Sequence, residues 1–252
     1  IAVSVLNEKG VESIAHSVTI DVQDQKKEKP RLFVYAIGAS DYGESNYNLA
    51  YAAKDAQDIS ELFSSNSTYF SEVKIKTLKN SEVTLANIDK LKVDLQKTKV
   101  NDMVCIFYAG HGVLDADFNY FLASYDMSFN DPATNGIPYE ALEDLLDGIP
   151  ARRKLMMIDA CHSGEIDKEE LVAVENTEST EMNEDITFRA INSEHTQQMV
   201  LSNSFELMRD LFSDIRKTSG AVIISSAGGL EFAIEGDKWN NGVFTYHSFE
   251  SF

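Results

Sequence analysis

Two short motifs contain the residue types needed for nucleophilic catalysis. Cys161 follows the apolar run 155–158, and His111 follows a second apolar run, 103–108, and lies between two glycines. The thiolate is the reactive form of cysteine, so cleavage of an amide bond requires a base or a lowered thiol pKa. An imidazole near the thiol can remove its proton and later protonate the leaving amine. The sequence therefore predicts a Cys–His pair.

Both apolar runs are predicted to be buried strands of a parallel sheet, and each ends just before its reactive side chain. Neighbouring parallel strands lie about 5 Å apart, and open α/β sheets bind their ligands beyond the carboxyl ends of the strands. His111 and Cys161 can therefore come within reach of each other. In the alternative interpretation, both are ordinary turn residues. His162 competes as the base, but on an extended strand end it should point away from Cys161.

The motifs resemble those of the caspase-like cysteine peptidases, in the bacterial metacaspase and orthocaspase branch. His111 precedes Cys161 by 50 residues (161 − 111), in the order His upstream and Cys downstream that caspase-type enzymes have. The resemblance covers about residues 31–252. The segments that carry it are Tyr108-Ala-Gly-His-Gly112, Asp159-Ala-Cys-His-Ser-Gly164, Ala36-Ile-Gly-Ala-Ser-Asp-Tyr42, Asn48-Leu-Ala-Tyr-Ala-Ala-Lys-Asp-Ala56, Ile224-Ser-Ser-Ala-Gly-Gly-Leu-Glu-Phe-Ala233 and Gly242-Val-Phe-Thr245.

The resemblance implies the caspase-like (caspase–hemoglobinase) α/β fold, with a mostly parallel central sheet and helices on both of its faces. Alternation of strand and helix patterns along the chain independently predicts a parallel sheet. Residues 1–24 read as a short β-hairpin appendage, the remnant of an upstream β-rich module, and 25–30 as a charged linker. The peptidase domain is then 31–252.

The resemblance also implies how substrate is bound. Metacaspase S1-pocket positions fall on Asp55 and Asp159, and Glu231 is a third candidate acid. Carboxylates in a pocket favour a cationic side chain, so Arg or Lys is expected at P1. Where relatives often have a serine two residues before the histidine, this chain has Ala109. Backbone N–H groups of Gly112 and Cys161 are the expected oxyanion donors.

An acidic stretch, 165–194, is expected to be a mobile loop between the large and small catalytic segments. Lys168 and Arg189 lie in it and are candidate sites of self-processing. Relatives often need calcium, which the carboxylates of this loop would bind. The sequence has no Cys-x-x-Cys or His-Glu-x-x-His spacing, so we expect no metal site and no required cofactor.

The composition limits the kinds of partner. A net charge of −19 disfavours nucleic acid and anionic membrane surfaces. No apolar run is long enough for a transmembrane helix, and no signal peptide is visible. Two cysteines provide no disulfide framework, and Cys105 is most simply a core residue. We expect a monomer that binds a peptide or protein substrate; the compartment stays open, with the cytoplasm favoured.

Two other functions fit the same motifs. The domain is either a catalytically silent scaffold that binds partners, or a hydrolase or transferase that uses the pair on a non-peptide amide. A degenerate scaffold would be expected to have lost some of the catalytic residues and pocket acids, whereas this chain has both sets. A basic peptide side chain explains the acidic pocket better than a non-peptide amide does.

Overall fold

The computed structural model describes residues 2–19, 28–65, 67–117, 119–160, 186–188, 219–226 and 233–250. The strands and α-helices in these ranges are, in chain order, β1 (Ala2–Val3), β2 (His16–Ser17), β3 (Arg31–Gly38), α1 (Ala52–Ser65), β4 (Glu72–Lys79), α2 (Leu85–Leu95), β5 (Met103–Ala109), β6 (Gly112–Leu114), β7 (Tyr120–Leu122), β8 (Ile137–Pro138), α3 (Tyr139–Leu146), β9 (Arg153–Asp159), β10 (Ile186–Phe188), β11 (Val222–Ser225), β12 (Ile234–Gly236), β13 (Asn241–Gly242) and α4 (Val243–Glu250).

The first two strands form a short antiparallel pair in which Val3 pairs with His16. The apolar side chains around this pair are exposed, and Ile14 is the extreme case at 98%. The predicted hairpin is therefore present, with only two residues in each strand. Its origin in an upstream module stays a prediction, as do the domain boundaries.

The core is a five-stranded parallel sheet with the order β11–β9–β5–β3–β4. β3 and β5 are central, and almost every residue in them is buried. Strands buried on both faces are continuous apolar runs, and this is the pattern of both segments. The edge strand β4 instead alternates between more and less exposed residues. The predicted fold class is confirmed.

Helices flank both faces of this sheet. The connection from β3 through α1 leads to β4, whereas the connection from β4 through α2 crosses back to β5. Right-handed crossovers that run in opposite directions place their helices on opposite faces. The contacts agree, because α2 packs against α3 whereas α1 packs against α4. The strand order therefore reverses between β3 and β5, where sheets of this type form a crevice for ligands.

Close packing fixes the start of α1 over the end of β3. Gly38 is the last residue of β3, and a Cβ there would overlap the Ala52 carbonyl oxygen and lie 2.8 Å from the Ala56 Cβ. Only glycine therefore allows this approach. At α2, Thr84 is the N-cap residue, and its hydroxyl accepts a hydrogen bond from the Asn87 N–H.

Two small antiparallel sheets extend the core. β6, β7 and β8 form one of them immediately after β5, and β10, β12 and β13 form the other. Most of the acidic stretch 165–194 lies outside the described residues. So do residues 195–217, where the spacing of Leu201, Phe205, Met208, Phe212 and Ile215 predicts a helix. Within the ranges that are described, no helix is both long enough and apolar enough to span a bilayer.

Candidate active site

The carboxyl ends of the central strands lie in register. Ala109 pairs with Gly38 on one side and with Asp159 on the other. The Gly110 N–H then donates to the Asp159 carbonyl, with 3.2 Å between N and O. His111 lies two residues beyond Ala109, and Cys161 is two residues beyond Asp159 in sequence. Cys161 itself lies outside the described residues, so its pairing with His111 stays a prediction.

Gly110 allows the chain to turn at the end of β5. Its φ is +156°, and a Cβ at this position would lie 2.5 Å from the Tyr108 hydroxyl and 3.0 Å from the Tyr42 hydroxyl. Two buried tyrosine side chains therefore fill the space that any other residue at 110 would need. A glycine is therefore required before His111 for the backbone to approach these two side chains.

The His111 ring is buried and has a defined orientation. Its Nε2 lies 2.8 Å from the backbone carbonyl oxygen of Tyr47, and the side chains of Tyr42 and Phe129 pack around it with ring centroids 5.3 and 6.0 Å away. A carbonyl oxygen can only accept, so Nε2 carries the hydrogen. In the neutral ring, Nδ1 is then the nitrogen that can accept a proton.

Tyr47 was not identified from the sequence. The sequence offered no carboxylate to orient His111, and the partner proves to be a main-chain carbonyl that any residue type could supply. Residue identity carries no signal for such a contact. Its place shortly before α1, which begins at Ala52, is the only indirect sign in the sequence that Tyr47 lies near the site.

Tyr42 supports the backbone of His111 as well as its ring. Its hydroxyl oxygen accepts the His111 N–H at 3.2 Å, and the hydroxyl donates to the Ala39 carbonyl at 2.9 Å. The Tyr42 N–H in turn donates to the side-chain oxygen of Asn48 at 2.9 Å. The loops that follow β3 and β5 are therefore joined through Tyr42.

The Gly112 N–H lies outside the β6–β7 hydrogen-bond ladder. The Ala123 N–H donates to the His111 carbonyl at 2.9 Å, and Gly112 pairs with Leu122 in the β6–β7 ladder. Hydrogen-bonded and non-hydrogen-bonded pairs alternate in antiparallel strands, so the Gly112 N–H is directed away from β7. Its role as an oxyanion donor, with the N–H of Cys161, stays a prediction.

Asp55 is in the first turn of α1 and is fully buried. Its Oδ1 accepts hydrogen bonds from the Asn241 side-chain amide at 2.9 Å and from the Gly242 N–H at 3.0 Å. Asn241 also donates to Asp58 at 2.7 Å. Asp55 therefore joins α1 to β13, a contact that the sequence did not indicate. Its assignment to the S1 pocket stays a prediction.

Of the two other predicted pocket acids, the structure describes Asp159 but not Glu231. Asp159 is fully buried at the end of β9, where the sequence placed it. Glu231 lies outside the described part of the chain. Four residues further on, Glu235 of β12 is fully buried and accepts hydrogen bonds from the N–H groups of Ala50 and Tyr51. No sequence pattern singles out this residue.

The second cysteine has no reactive character. Cys105 lies in the middle of β5, and burial raises the pKa of its thiol to about 12. It stays protonated at neutral pH, as expected of a core residue. Within the ranges that the structure describes, no cluster of three or more His, Cys, Asp or Glu side chains could hold a metal ion. The calcium-binding expectation concerned the acidic stretch 165–194, most of which lies outside the described residues, and it stays a prediction.

A buried histidine beyond the carboxyl end of a central parallel strand, in a sheet with helices on both faces, is the arrangement of a caspase-like α/β protein. A family model described as the caspase domain, of peptidase family C14, matches residues 31–247. This span is most of the chain, so the chain belongs to that family of cysteine peptidases.

One solved structure supports the fold. The crystal structure of protein GSU0716 from Geobacter sulfurreducens resembles this chain with a TM-score of 0.55 and 19% sequence identity. The match covers 86% of this chain and 79% of that one. At this identity the likeness shows the fold alone. No curated protein sequence matches the chain.

Proposed function

We propose that the chain is a cysteine endopeptidase in which Cys161 is the nucleophile and His111 the general base. The orientation of His111 is the observation that supports this proposal most directly. The Tyr47 carbonyl accepts the Nε2–H hydrogen bond, so Nδ1 is the basic nitrogen. The strand register supports the pairing, since Ala109 and Asp159 are neighbours and each precedes its catalytic residue by two positions.

The reaction follows from these groups. Nδ1 of His111 takes the proton of the Cys161 thiol, and the thiolate attacks the scissile carbonyl carbon. The N–H groups of Gly112 and Cys161 stabilise the oxyanion. The imidazolium then protonates the leaving amine as the C–N bond breaks, which produces a thioester. Water attacks the thioester with Nδ1 as base, the C–S bond breaks, and the proton returns to the sulfur.

The P1 preference is for Arg or Lys. The buried Asp159 supports this proposal, because a carboxylate beside the nucleophile favours a cationic substrate group. Asp55 is the second acid and Glu231 the third. Asp55 accepts hydrogen bonds from the Asn241 side-chain amide and the Gly242 N–H, which fix its position, and a fixed carboxylate in a pocket favours a guanidinium or ammonium group of the substrate.

The same specificity points to self-processing and to a branch of the family. A basic P1 preference would permit cleavage after Lys168 or Arg189 in the acidic intersegment stretch. The sequence motifs favour the bacterial metacaspase and orthocaspase branch, with a monomeric enzyme that acts on peptides. Calcium activation through the acidic stretch belongs to the same proposal.

Fluorogenic peptides that end in Arg, Lys or Asp test the proposal. We expect wild-type protein to cleave after Arg or Lys, Cys161→Ala to abolish cleavage, and Cys105→Ala to retain it. Each protein is measured with and without calcium. Mass spectrometry of the active protein then shows whether the chain is cut after Lys168 or Arg189.

Each possible outcome separates the proposal from its alternatives. Cleavage after Asp alone would contradict the pocket role of Asp55 and Asp159. Cleavage that survives Cys161→Ala would contradict the dyad. A folded wild-type protein that is silent under every condition would favour the scaffold function instead.

A further inference from the structure

Glu235 is a buried acid that the proposed mechanism does not use. It lies in β12 and is fully buried. One carboxylate oxygen accepts the Ala50 N–H at 2.6 Å, and the other accepts the Tyr51 N–H at 3.2 Å. These N–H groups come just before α1, where amides have no partner within the helix and where the helix dipole favours a negative charge. Glu235 therefore fixes the entry to α1 from a distant part of the chain.

The segment that Glu235 holds is also the segment that orients His111. Tyr47, whose carbonyl accepts the Nε2–H of His111, is three residues before Ala50. Between them, the Leu49 N–H donates to the Ser40 carbonyl at 2.8 Å. Residues 47–51 are thus tied at one end to the proposed general base and at the other end to β12.

We infer that Glu235 is a positioning residue for His111, acting through segment 47–51. This inference rests on the proposed function. It implies that the base reaches its working orientation only when the C-terminal part, residues 233–250, is docked against α1. Glu235 touches neither the imidazole nor the scissile bond, so it is not a catalytic residue.

Charge and geometry both make this contact sensitive to substitution. A carboxylate accepts at both oxygens, whereas the isosteric glutamine amide would direct an NH₂ group toward one of the two backbone N–H donors. That donor is then unsatisfied in a buried site, and segment 47–51 is expected to move. Small displacements of a catalytic group lower the reaction rate strongly, and a misplacement of about 1 Å can lower it about 100-fold.

The test compares Glu235→Gln with the control Asp237→Asn. Asp237 follows β12 directly and bonds to the side-chain hydroxyl of the same Tyr51, but at an exposed site. With an Arg peptide substrate, we expect Glu235→Gln to lower kcat about 10- to 100-fold with KM changed less than about two-fold. We expect Asp237→Asn to leave both within about two-fold of wild type.

A second readout does not need activity. The chain has five histidines, and ¹⁵N NMR of histidine-labelled protein reports the tautomer of each. Comparison with His111→Ala identifies the His111 signals. We expect wild type and Asp237→Asn to show the Nε2–H tautomer, and Glu235→Gln to show a mixture of tautomers. A merely structural role would lower the folded fraction but leave the tautomer of the folded protein unchanged.

The two readouts keep the two hypotheses apart. If the wild type cleaves nothing, the proposed function fails while the NMR comparison still tests the positioning role. If Glu235→Gln leaves both kcat and the His111 tautomer unchanged, the positioning role is overturned. If Glu235→Gln does not fold, Glu235→Asp replaces it, since the shorter carboxylate keeps the charge but not the reach. An unchanged tautomer in folded Glu235→Asp would likewise overturn the inference.

Discussion

The two ends of the strands in the central sheet hold buried polar groups in different ways. We call the side where the strands begin the amino edge and the side where they finish the carboxyl edge. At the amino edge, the Asp102 carboxylate accepts from the guanidinium of Arg31, with 3.1 Å between Nε and Oδ2, and from the Lys99 N–H at 2.6 Å. At the carboxyl edge, Asp55 is held by an amide and a backbone N–H, and His111 by a carbonyl. Opposite charges meet at the first edge, whereas these hydrogen bonds to Asp55 and His111 at the second edge are made by neutral groups.

This difference separates groups that stabilise the fold from groups that can act on a ligand. At the amino edge, the charges of Arg31 and Asp102 neutralise each other. At the carboxyl edge, neutral hydrogen-bonding groups orient the carboxylate of Asp55 and the imidazole of His111, and preorganised sites use such fixed dipoles to position their groups. Substitutions at the carboxyl edge should therefore affect activity, and those at the amino edge should affect stability.

The largest effect is expected from His111→Ala. Removal of the base should lower kcat/KM for an Arg peptide about 1,000-fold, because a positioned general base contributes about 10²- to 10⁴-fold. The free energy of unfolding should change by about 1 kcal/mol or less in either direction. Initial rates and urea unfolding measure the two quantities. Retention of a tenth of wild-type activity would contradict the role of His111 as base.

Asp102→Ala should have the opposite profile. It removes one partner of a largely buried ion pair, whose side chains are 4% (Asp102) and 21% (Arg31) exposed. Loss of one partner from such a pair costs about 3 kcal/mol, and urea unfolding measures this loss. The activity of the folded fraction should stay at the wild-type level. The control is Asp94→Ala, which removes an exposed pair with Lys97 and should cost about 0.5 kcal/mol or less.

The same pair should make stability depend on pH. Burial would raise the pKa of Asp102, but hydrogen bonds from the Arg31 side chain and from the Lys99 and Arg31 N–H groups outweigh it and lower the pKa. The stabilisation is therefore complete above the unfolded-state pKa of about 3.9 and is lost as the pH falls through the lower folded-state value. Asp102→Asn should unfold with a shallower pH dependence below about pH 4. An identical dependence in both proteins would contradict this assignment.

Gly38→Ala should affect both properties, because Gly38 is where the carboxyl edge contacts α1. A methyl group there would overlap the Ala52 carbonyl, so α1 must shift, at a cost of about 2 kcal/mol. Activity should fall as well, since segment 47–51 leads directly into α1. Gly43→Ala is the control, because its Cβ would meet only the Tyr125 carbonyl at an ordinary 3.4 Å. Equal stability of the two variants would contradict the packing argument.

The sequence predicted the central parallel sheet because strands that are buried on both faces appear as continuous apolar runs. The runs that end before His111 and Cys161 are continuous and apolar, and β5 and β9 pair along their whole length. Gly110, the glycine before His111, lies where a side chain would have no room. Strand pattern and turn chemistry are local properties, so one sequence suffices to recognise them.

The contacts that hold the site in place could not be predicted in the same way. Tyr47 acts through its main-chain carbonyl, for which no residue type is required. Glu235 binds Ala50 and Tyr51 across more than 180 residues of sequence, and Asp55 binds Gly242 across a similar separation. Such pairings depend on how separate segments dock, which periodicity does not encode. Glu235 is not recognisable from the sequence for this reason, and the assignment of Glu231 to the pocket stays a prediction.

The smallest expected effect is at Lys154, on the amino edge. Its ammonium group donates to the Leu146 carbonyl at the end of α3, at 2.7 Å, and to the Ser219 carbonyl at 2.9 Å. Burial lowers the pKa of Lys154, so desolvation of the charge offsets part of what these hydrogen bonds contribute. Lys154→Met, which keeps the length of the side chain, should therefore cost only about 1 kcal/mol by urea unfolding.

Lys92→Met is the matched control for this last substitution. Lys92 also donates to two carbonyls, those of Asp144 and Asp147, but at an exposed site where water can replace it. Its loss should cost about 0.5 kcal/mol or less. Neither lysine variant should alter kcat, because neither side chain reaches the carboxyl edge. If Lys154→Met lowered kcat at unchanged stability, function would depend on both edges of the sheet, and the division between them would fail.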